Sequence, residues 1–329
     1  MTQNTIEYRQ VGHSGLTVST VGLGCNNLGR PGSVTETQEG ADAVVHAALE
    51  EGITLFDVAD IYGSHPGLSE TMLAKSLGSE REKVVVATKF GLDAQGANGP
   101  DWGRRGSRKY IMQSVEASLR RLGTDYIDLY YLHTPDPQTP IAETLDALDD
   151  LVKQGKVLYL GNSNMAGWQI AEAEFTARMS GGNRFVASQN HYNLMDRRAE
   201  LEVTPAAEAF GLGVMPYFPL ANGMLTGKYS AGKAPEGSRL SYVRQHMVEG
   251  ADLEQLKAYG DFAAARGLTE VQVAFSWLAA QKSVASVIAG ATRPEQVREN
   301  ARAASWKPTG EDLVELDAIF PKVPRTALF

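Results

Sequence analysis

Four side chains in this sequence, Asp57, Tyr62, Lys89 and His133, could together deliver a proton to a carbonyl oxygen. A free phenol titrates near ~10 and is a weak acid at neutrality. An ammonium beside it stabilises the phenolate and eases proton release. An Asp paired with that ammonium holds it in place and keeps it charged, and a His can donate a hydrogen bond that orients the carbonyl. A positioned acid of this kind is worth about 10²–10⁴-fold in rate, and the hydride that completes a reduction must come from a cofactor. Singly, each residue has an ordinary structural reading: Asp57 and Lys89 as a strand-end ion pair, His133 as a satisfied buried histidine. The chemistry needs all four to meet.

They can meet where parallel strands converge. Eight short, continuous apolar runs read as buried parallel strands: Val18–Gly24, Ile53–Val58, Val84–Phe90, Tyr126–His133, Val157–Gly161, Phe185–Gln189, Leu212–Tyr217 and Ser286–Gly290. Between them, helical stripes recur at spacings of three and four, as in Ile111, Val115, Leu119 and Leu122, and in Ile141, Leu145, Leu148 and Val152. Glu51–Gly52 and Gly155 read as helix stops. Eight βα units without a composition break predict one α/β domain over residues 1–329, a (β/α)8 TIM barrel. Tyr8–Ser19 reads as an N-terminal hairpin across the barrel bottom. Two long loops, Leu92–Gly106 and Pro219–Gly250, follow the third and seventh strands and fall at the C-terminal mouth, with Trp102 and Tyr242 as candidate pocket-lining residues. The tail from Ser305 is expected to follow the last helix.

Composition limits the partners. Hydrophobic residues make up 43% of the 329 and the net charge is −8. An acidic chain without a Lys/Arg-rich run is a poor binder of nucleic acid or anionic membrane. The single cysteine, Cys25, allows no internal disulfide, and no signal-like h-region or run of about 18 apolar residues is visible, so a cytoplasmic location is expected. Cys25 reads as a small packed residue near the first strand end. The six histidines lack metal-ligand spacing, so no metal is expected. Gly22-x-Gly24, with Asp57 ending the next strand, mimics a Rossmann fingerprint, but Asn27 stands at the third small position and the next helix starts only near Glu36.

Seven ordered strings carry a family resemblance: FDVADIYG (56–63), ATKFG (87–91), YIDLYYLHTPD (126–136), GNSN (161–164), QNHYNL (189–194), PLANGMLTGKY (219–229) and EQVREN (295–300). The sequence resembles the aldo-keto reductase superfamily from about Tyr8 to Ala304, and by LTGKY and GAT-x-PEQ its bacterial and potassium-channel β-subunit-like branch. The resemblance implies NADP-dependent reduction of a small-molecule carbonyl, with Asp57, Tyr62, Lys89 and His133 as the catalytic tetrad. It implies a cofactor site in which Ser163, Asn164 and Gln189 bond the nicotinamide carboxamide and Tyr217 stacks on its ring. Leu220 and Gly223 would follow the pyrophosphate, while Gly290, Thr292, Arg293, Gln296, Glu299 and Asn300 surround the adenosine.

The sequence departs from the family pattern in places. Phe218 stands where a Ser is usual, removing one hydroxyl from the pyrophosphate path. Leu158 replaces a common Arg. Arg293 supplies the cation that relatives place elsewhere, and its guanidinium suits a 2′-phosphate, which favours NADPH (NADP+). Two other functions fit the same residues: an NADP(H)-binding redox-sensing subunit with little turnover, and a Schiff-base aldolase using Lys89. The aldolase needs a neutral lysine, against which an Asp57 partner argues. Oligomeric state is left open by the sequence.

Overall fold

The computed structural model describes residues 6–229 and 246–324. An antiparallel hairpin opens the chain, β1 (Tyr8–Gln10) against β2 (Thr17–Ser19), with Arg9 opposite Val18. Eight parallel strands follow: β3 (Val21–Gly24), β4 (Leu55–Asp57), β5 (Val85–Phe90), β6 (Ile127–Leu132), β7 (Val157–Ser163), β8 (Phe185–Gln189), β9 (Gly213–Val214) and β10 (Val287–Gly290). Pairing runs in chain order from β3 to β9, with β10 beside β3. The gap between β9 and β10 closes through Ala285 N–H to the Val214 carbonyl (2.9 Å), Ile288 N–H to the Pro216 carbonyl (3.1 Å) and a parallel bridge of Val214 with Val284. The sheet is therefore the expected (β/α)8 barrel.

Strand ends differ from the sequence reading for identifiable reasons. Residues 17–19 are used in the hairpin, so β3 starts at Val21. Ser19 and Thr54 exchange side-chain-to-backbone bonds of 2.9 and 3.0 Å in place of ladder pairing, which delays β4 to Leu55. β9 stops at Val214 because Pro216 has no N–H for a ladder; Tyr217 rejoins through a parallel bridge with His191, the Tyr217 N–H donating to the Asn190 carbonyl at 3.1 Å.

The helices α1 (Gln38–Glu50), α2 (Leu68–Leu77), α3 (Arg108–Leu122), α4 (Ile141–Lys153), α5 (Gly167–Ser180) and α6 (Val203–Phe210) cover the barrel in turn. After β9 come α7 (His246–Glu249), α8 (Leu253–Ala265) and α9 (Glu270–Ala279), and after β10 comes α10 (Pro294–Ala303). The tail is not a plain extension: it folds into α11 (Gly310–Ile319), started by reciprocal caps from Thr309 and Asp312. Part of the 219–250 loop, including Tyr242, lies outside the described residues.

The hairpin plugs the bottom of the barrel, as expected. Val11, Leu16 and Val18 pack with Leu55, Val85, Leu129, Ala187, Met215 and Ala285 in one buried cluster. The turn fits because Gly12, at φ +55°, lies so close to Gly211 that a Cβ would sit 2.2 Å from its carbonyl oxygen. Among the described residues, no helix is long and apolar enough to cross a membrane, and no cluster of three or more His, Cys, Asp or Glu could hold a metal.

Candidate active site

Strand alternation brings the candidate residues together. Side chains two apart point to the same face of a strand. The inner barrel cluster contains Leu55, Val85, Ala87, Leu129, Tyr131, Ala187 and Met215, with Tyr159 packed against it. Stepping by twos toward the strand C-termini reaches Asp57, Lys89, His133, Gln189, Tyr217 and, through Gly161, Ser163. Gly161 is the small residue that lets this layer close, since a Cβ there would stand 2.4 Å from the Tyr131 ring. Six of the eight strands, β4 to β9, thus place an inward side chain at or just past their C-terminal ends, while β3 and β10 end in Gly24 and Gly290; this is the mouth, where active sites of such barrels are built.

Lys89 and Asp57 are buried and joined, Nζ to Oδ2 at 2.7 Å. Nζ also donates to the Val58 carbonyl at 2.8 Å. Tyr62 lies five residues past Asp57 in the β4–α2 loop, its half-buried ring 5.0 Å from Nζ at the centroid. The Tyr62 and His133 rings meet edge-to-face at 6.1 Å. Neither His133 ring nitrogen bonds a described protein group, and Nδ1 is buried without a partner. All four candidates therefore converge.

Their electrostatics follow from burial. Burial pulls the Lys89 ammonium down, but the Asp57 carboxylate and the Tyr62 phenol more than offset this, leaving it above its usual value and charged. Burial raises the Tyr62 phenol; the Lys89 charge draws it down less than burial lifts it. The expected lowering by the ammonium is thus present but outweighed, and Tyr62 keeps its proton at neutral pH. Burial, reinforced by the Lys89 charge, pushes His133 down to about 3, so its ring is neutral.

The cofactor candidates are positioned less uniformly. Ser163 is buried, and Asn164, at φ +57°, follows it. The Asn164 amide donates to the His133 carbonyl (2.9 Å) and to Ser163 Oγ (3.1 Å), and its oxygen accepts from the Tyr217 hydroxyl (2.8 Å). Gln189 donates to the second Asp57 oxygen at 2.8 Å. Both amides are thus tied to the site itself. Leu220 and Gly223 form a tight turn, Gly223 N–H to the Leu220 carbonyl at 2.7 Å with Gly223 at φ +104°. Gly290 ends β10 and is exposed. Gln296 Oε1 accepts from the Thr292 backbone at 2.9 Å, capping the turn into α10. Arg293 precedes Pro294 at the first helical position, is exposed, and forms no ion pair among the described residues. Glu299 is exposed and Asn300 buried on α10.

Sequence reasoning missed three features. Gln189 orients Asp57 from 132 positions away, which only closure of the barrel reveals. His191 stacks on Tyr217 at 5.5 Å and 11°, and is itself 3.2 Å from an Asp196 carboxylate oxygen; the two-residue spacing from Gln189 was the available signal. Asp60 is buried beside the tetrad segment and receives Asn98 from the 92–106 loop at 2.7 Å. Cys25 is fully buried and its thiol is pushed far up by burial, the setting of a packed structural cysteine. Trp102 is 66% exposed with the Lys109 ammonium 4.2 Å over its ring. The Rossmann mimicry fails in space as well, since Asp57 is held by Lys89 and Gln189.

The comparisons with known proteins agree. The model of the Aldo/keto reductase family matches residues 20–320. A Bacillus subtilis protein named uncharacterized oxidoreductase YrpG is 38% identical over 322 residues, spanning 96% of each chain. L-glyceraldehyde 3-phosphate reductase of Escherichia coli K12 is 34% identical over 91% of this chain and 87% of its own. A probable voltage-gated potassium channel subunit beta of rice is 33% identical over 97% of this chain and 98% of its own. The chain belongs to the aldo/keto reductase family. It is an oxidoreductase whose general chemistry is carbonyl reduction.

Members of this family generally use NAD(P)H. The residues here fit such a group. At the α10 N-terminus the Arg293 side chain makes no cap bond and, among the described residues, no ion pair, which makes it a suitable place for a phosphate. The half-buried Tyr217 ring at the mouth and the partnerless His133 ring leave a surface for a nicotinamide and its acceptor.

Proposed function

We propose that this protein reduces aldehydes or ketones to alcohols with NADPH, using Tyr62 as the general acid. The observation that carries this reading is the buried Asp57–Lys89 pair, 2.7 Å apart, with the ammonium 5.0 Å from the Tyr62 ring and His133 at its edge.

When bound, the cofactor supplies the hydride. The chain supplies the proton and the geometry. Tyr62, protonated at neutral pH, donates its hydroxyl proton to the carbonyl oxygen as negative charge develops there. The Lys89 ammonium stabilises the resulting phenolate. Asp57, held at one oxygen by Lys89 and at the other by Gln189, fixes the ammonium beneath the ring. Neutral His133 offers a ring N–H to the same carbonyl oxygen and so orients it toward Tyr62. Tyr217, backed by His191, is the platform for the nicotinamide ring. Ser163, Asn164 and Gln189 border its carboxamide, Leu220 and Gly223 the pyrophosphate, and Gly290, Thr292, Gln296, Glu299 and Asn300 the adenosine. Arg293 takes the 2′-phosphate.

The aldolase alternative is disfavoured because Lys89 stays charged, and a Schiff base requires a neutral amine. The test is NADPH oxidation with activated aromatic aldehydes such as nitrobenzaldehydes. Tyr62→Phe is expected to lower kcat by about 10²-fold or more while NADPH binding, read by fluorescence titration, is retained. Near-normal turnover in that variant would remove Tyr62 as the proton donor. Labelling of Lys89 by substrate and borohydride would instead establish the aldolase.

A further inference from the structure

We infer that His191 is a positioning residue: held in one tautomer and one orientation, it fixes the Tyr217 ring on which, in the proposed function, the nicotinamide lies. His191 and Tyr217 pair in register on neighbouring parallel strand ends, so their side chains leave the barrel wall side by side. The two rings stack, with centroids 5.5 Å apart and planes 11° from parallel. Phe218 meets both nearly at right angles, 5.6 Å from the His191 ring and 5.1 Å from the Tyr217 ring. Stacked and edge-to-face contacts are the favoured geometries of aromatic pairs. The Tyr217 hydroxyl donates to Asn164 Oδ1 at 2.8 Å. Tyr217 is thus covered on one face by His191, flanked by Phe218 and tied at its tip by Asn164. Among the described residues no other ring stacks on it, which leaves its second face for a flat ligand.

The hydrogen bond from Asn193 decides the tautomer. Asn193 is fully buried, and its Oδ1 accepts from the backbone N–H groups of Met195 and Asp196, each at 2.9 Å. That settles which end of the amide is oxygen. Its Nδ2 therefore donates, to the Phe218 carbonyl at 2.9 Å and toward His191 Nε2 at 3.2 Å. A proton on Nε2 would set two donors against each other, so Nε2 accepts and the ring proton sits on Nδ1. There it faces Asp196 Oδ2, 3.2 Å away. Arg198 keeps that carboxyl below its usual range and charged, donating to its two oxygens at 2.8 and 2.5 Å. One buried amide thus fixes both the ring that backs Tyr217 and the carbonyl that follows it. Phe218 is the departure from the Ser of the family pattern, and it stands at φ +53°, a conformation bulky residues rarely adopt. Its carbonyl bond to Asn193 and its two ring contacts hold it there. In place of a hydroxyl on the pyrophosphate path, the chain carries a side chain that packs the platform.

Hydride transfer needs a short, aligned approach, and a misplacement of about 1 Å can cost on the order of 10²-fold. A pinned Tyr217 limits how far a nicotinamide resting on it can tilt or slide. Stopped-flow single turnovers with saturating NADPH and a nitrobenzaldehyde read this step. His191→Ala is expected to slow the single turnover by about tenfold, with the steady-state carbonyl KM and the thermal melt close to wild type. His191→Phe, which keeps a flat ring in the stack, should regain part of that loss; His191→Leu, of similar bulk without a flat ring, should not. The tautomer has its own readout. In 15N spectra of the full chain labelled at histidine, the His191 signals, assigned by their absence from His191→Phe, should show the proton on Nδ1. A His191→Ala chain with wild-type single turnovers, a His191→Phe chain no faster than His191→Leu, or a proton on Nε2 would each overturn the inference. A wild-type chain that binds no NADPH would overturn both this role and the proposed function, whereas normal wild-type turnover beside an unaffected His191→Ala overturns this role alone.

Discussion

Tyr62, Lys89 and His133 are each pushed by burial toward their neutral forms, and only Lys89 has a partner strong enough to resist. Asp57 keeps the ammonium charged, while Tyr62 and His133 remain uncharged. A site with one charged donor and two neutral ones is ready to accept a developing alkoxide without first losing a proton. Asp57, Lys89 and His133 were legible in the sequence because they fall at strand ends, and Tyr62 because it falls in the segment just past one. The Gln189 contact was not, because it joins β4 to β8 across the closed barrel. In the proposed function, Arg293 is the residue on which the choice of NADPH over NADH turns. Among the described residues it has no ion-pair partner at the start of α10. A charge-assisted hydrogen bond is worth about 1.5–3 kcal/mol, so Arg293→Ala is expected to raise the KM for NADPH by about tenfold or more and the KM for NADH by much less. Steady-state kinetics with both cofactors checks this, and equal effects would remove the 2′-phosphate role.

At the scale of elements, periodicity identified the strands and the helices α3 and α4, and its failures are physical. α11 lies beyond the eighth βα unit, where the repeat supplies no expectation, although Thr309 and Asp312 cap it recognisably. The 92–106 loop has no periodicity, yet it is anchored. Asn98 donates to Asp60 at 2.7 Å and accepts from Arg121 at 3.0 Å, while Arg121 also holds Glu70, whose other oxygen receives Thr88 at 2.6 Å. This network ties the mouth loop to α2, α3 and β5. Asn98→Ala would leave a buried Asp60 oxygen without its donor, at a cost of about 1–3 kcal/mol. The expected result is a lower melting temperature and a severalfold higher KM for carbonyl substrates with an unchanged KM for NADPH. A thermal melt and two-substrate kinetics test it; an unchanged carbonyl KM would show that the loop does not border the substrate.

At the scale of the whole molecule, the same network makes stability depend on pH. Burial, together with the nearby Glu70 charge, pushes the Asp60 carboxyl up to about 8, despite the Asn98 bond and the Arg121 charge, and its Oδ1 has no partner. An unfolded Asp titrates near ~3.9. Between those values the folded chain holds a proton that the unfolded chain has released, so stability falls as pH rises through that window and levels off above about 8. His133 acts oppositely: its pKa of about 3 is below the unfolded value, so stability falls as pH drops below about 6.5. The net profile mixes the two, but a difference between variants isolates one. In Asp60→Asn the side chain keeps an oxygen for Asn98 and loses its titration, while His133, whose shift comes from burial and Lys89, is unchanged. The melting temperature of Asp60→Asn relative to wild type is therefore expected to climb from pH 5 to pH 8, by at most about 1.4 kcal/mol of stability per pH unit, and then to hold constant. Differential scanning calorimetry of both proteins across that range reads the slope. A flat difference would mean that Asp60 is ionised in the folded barrel and that the α2–α3 network carries its charge after all.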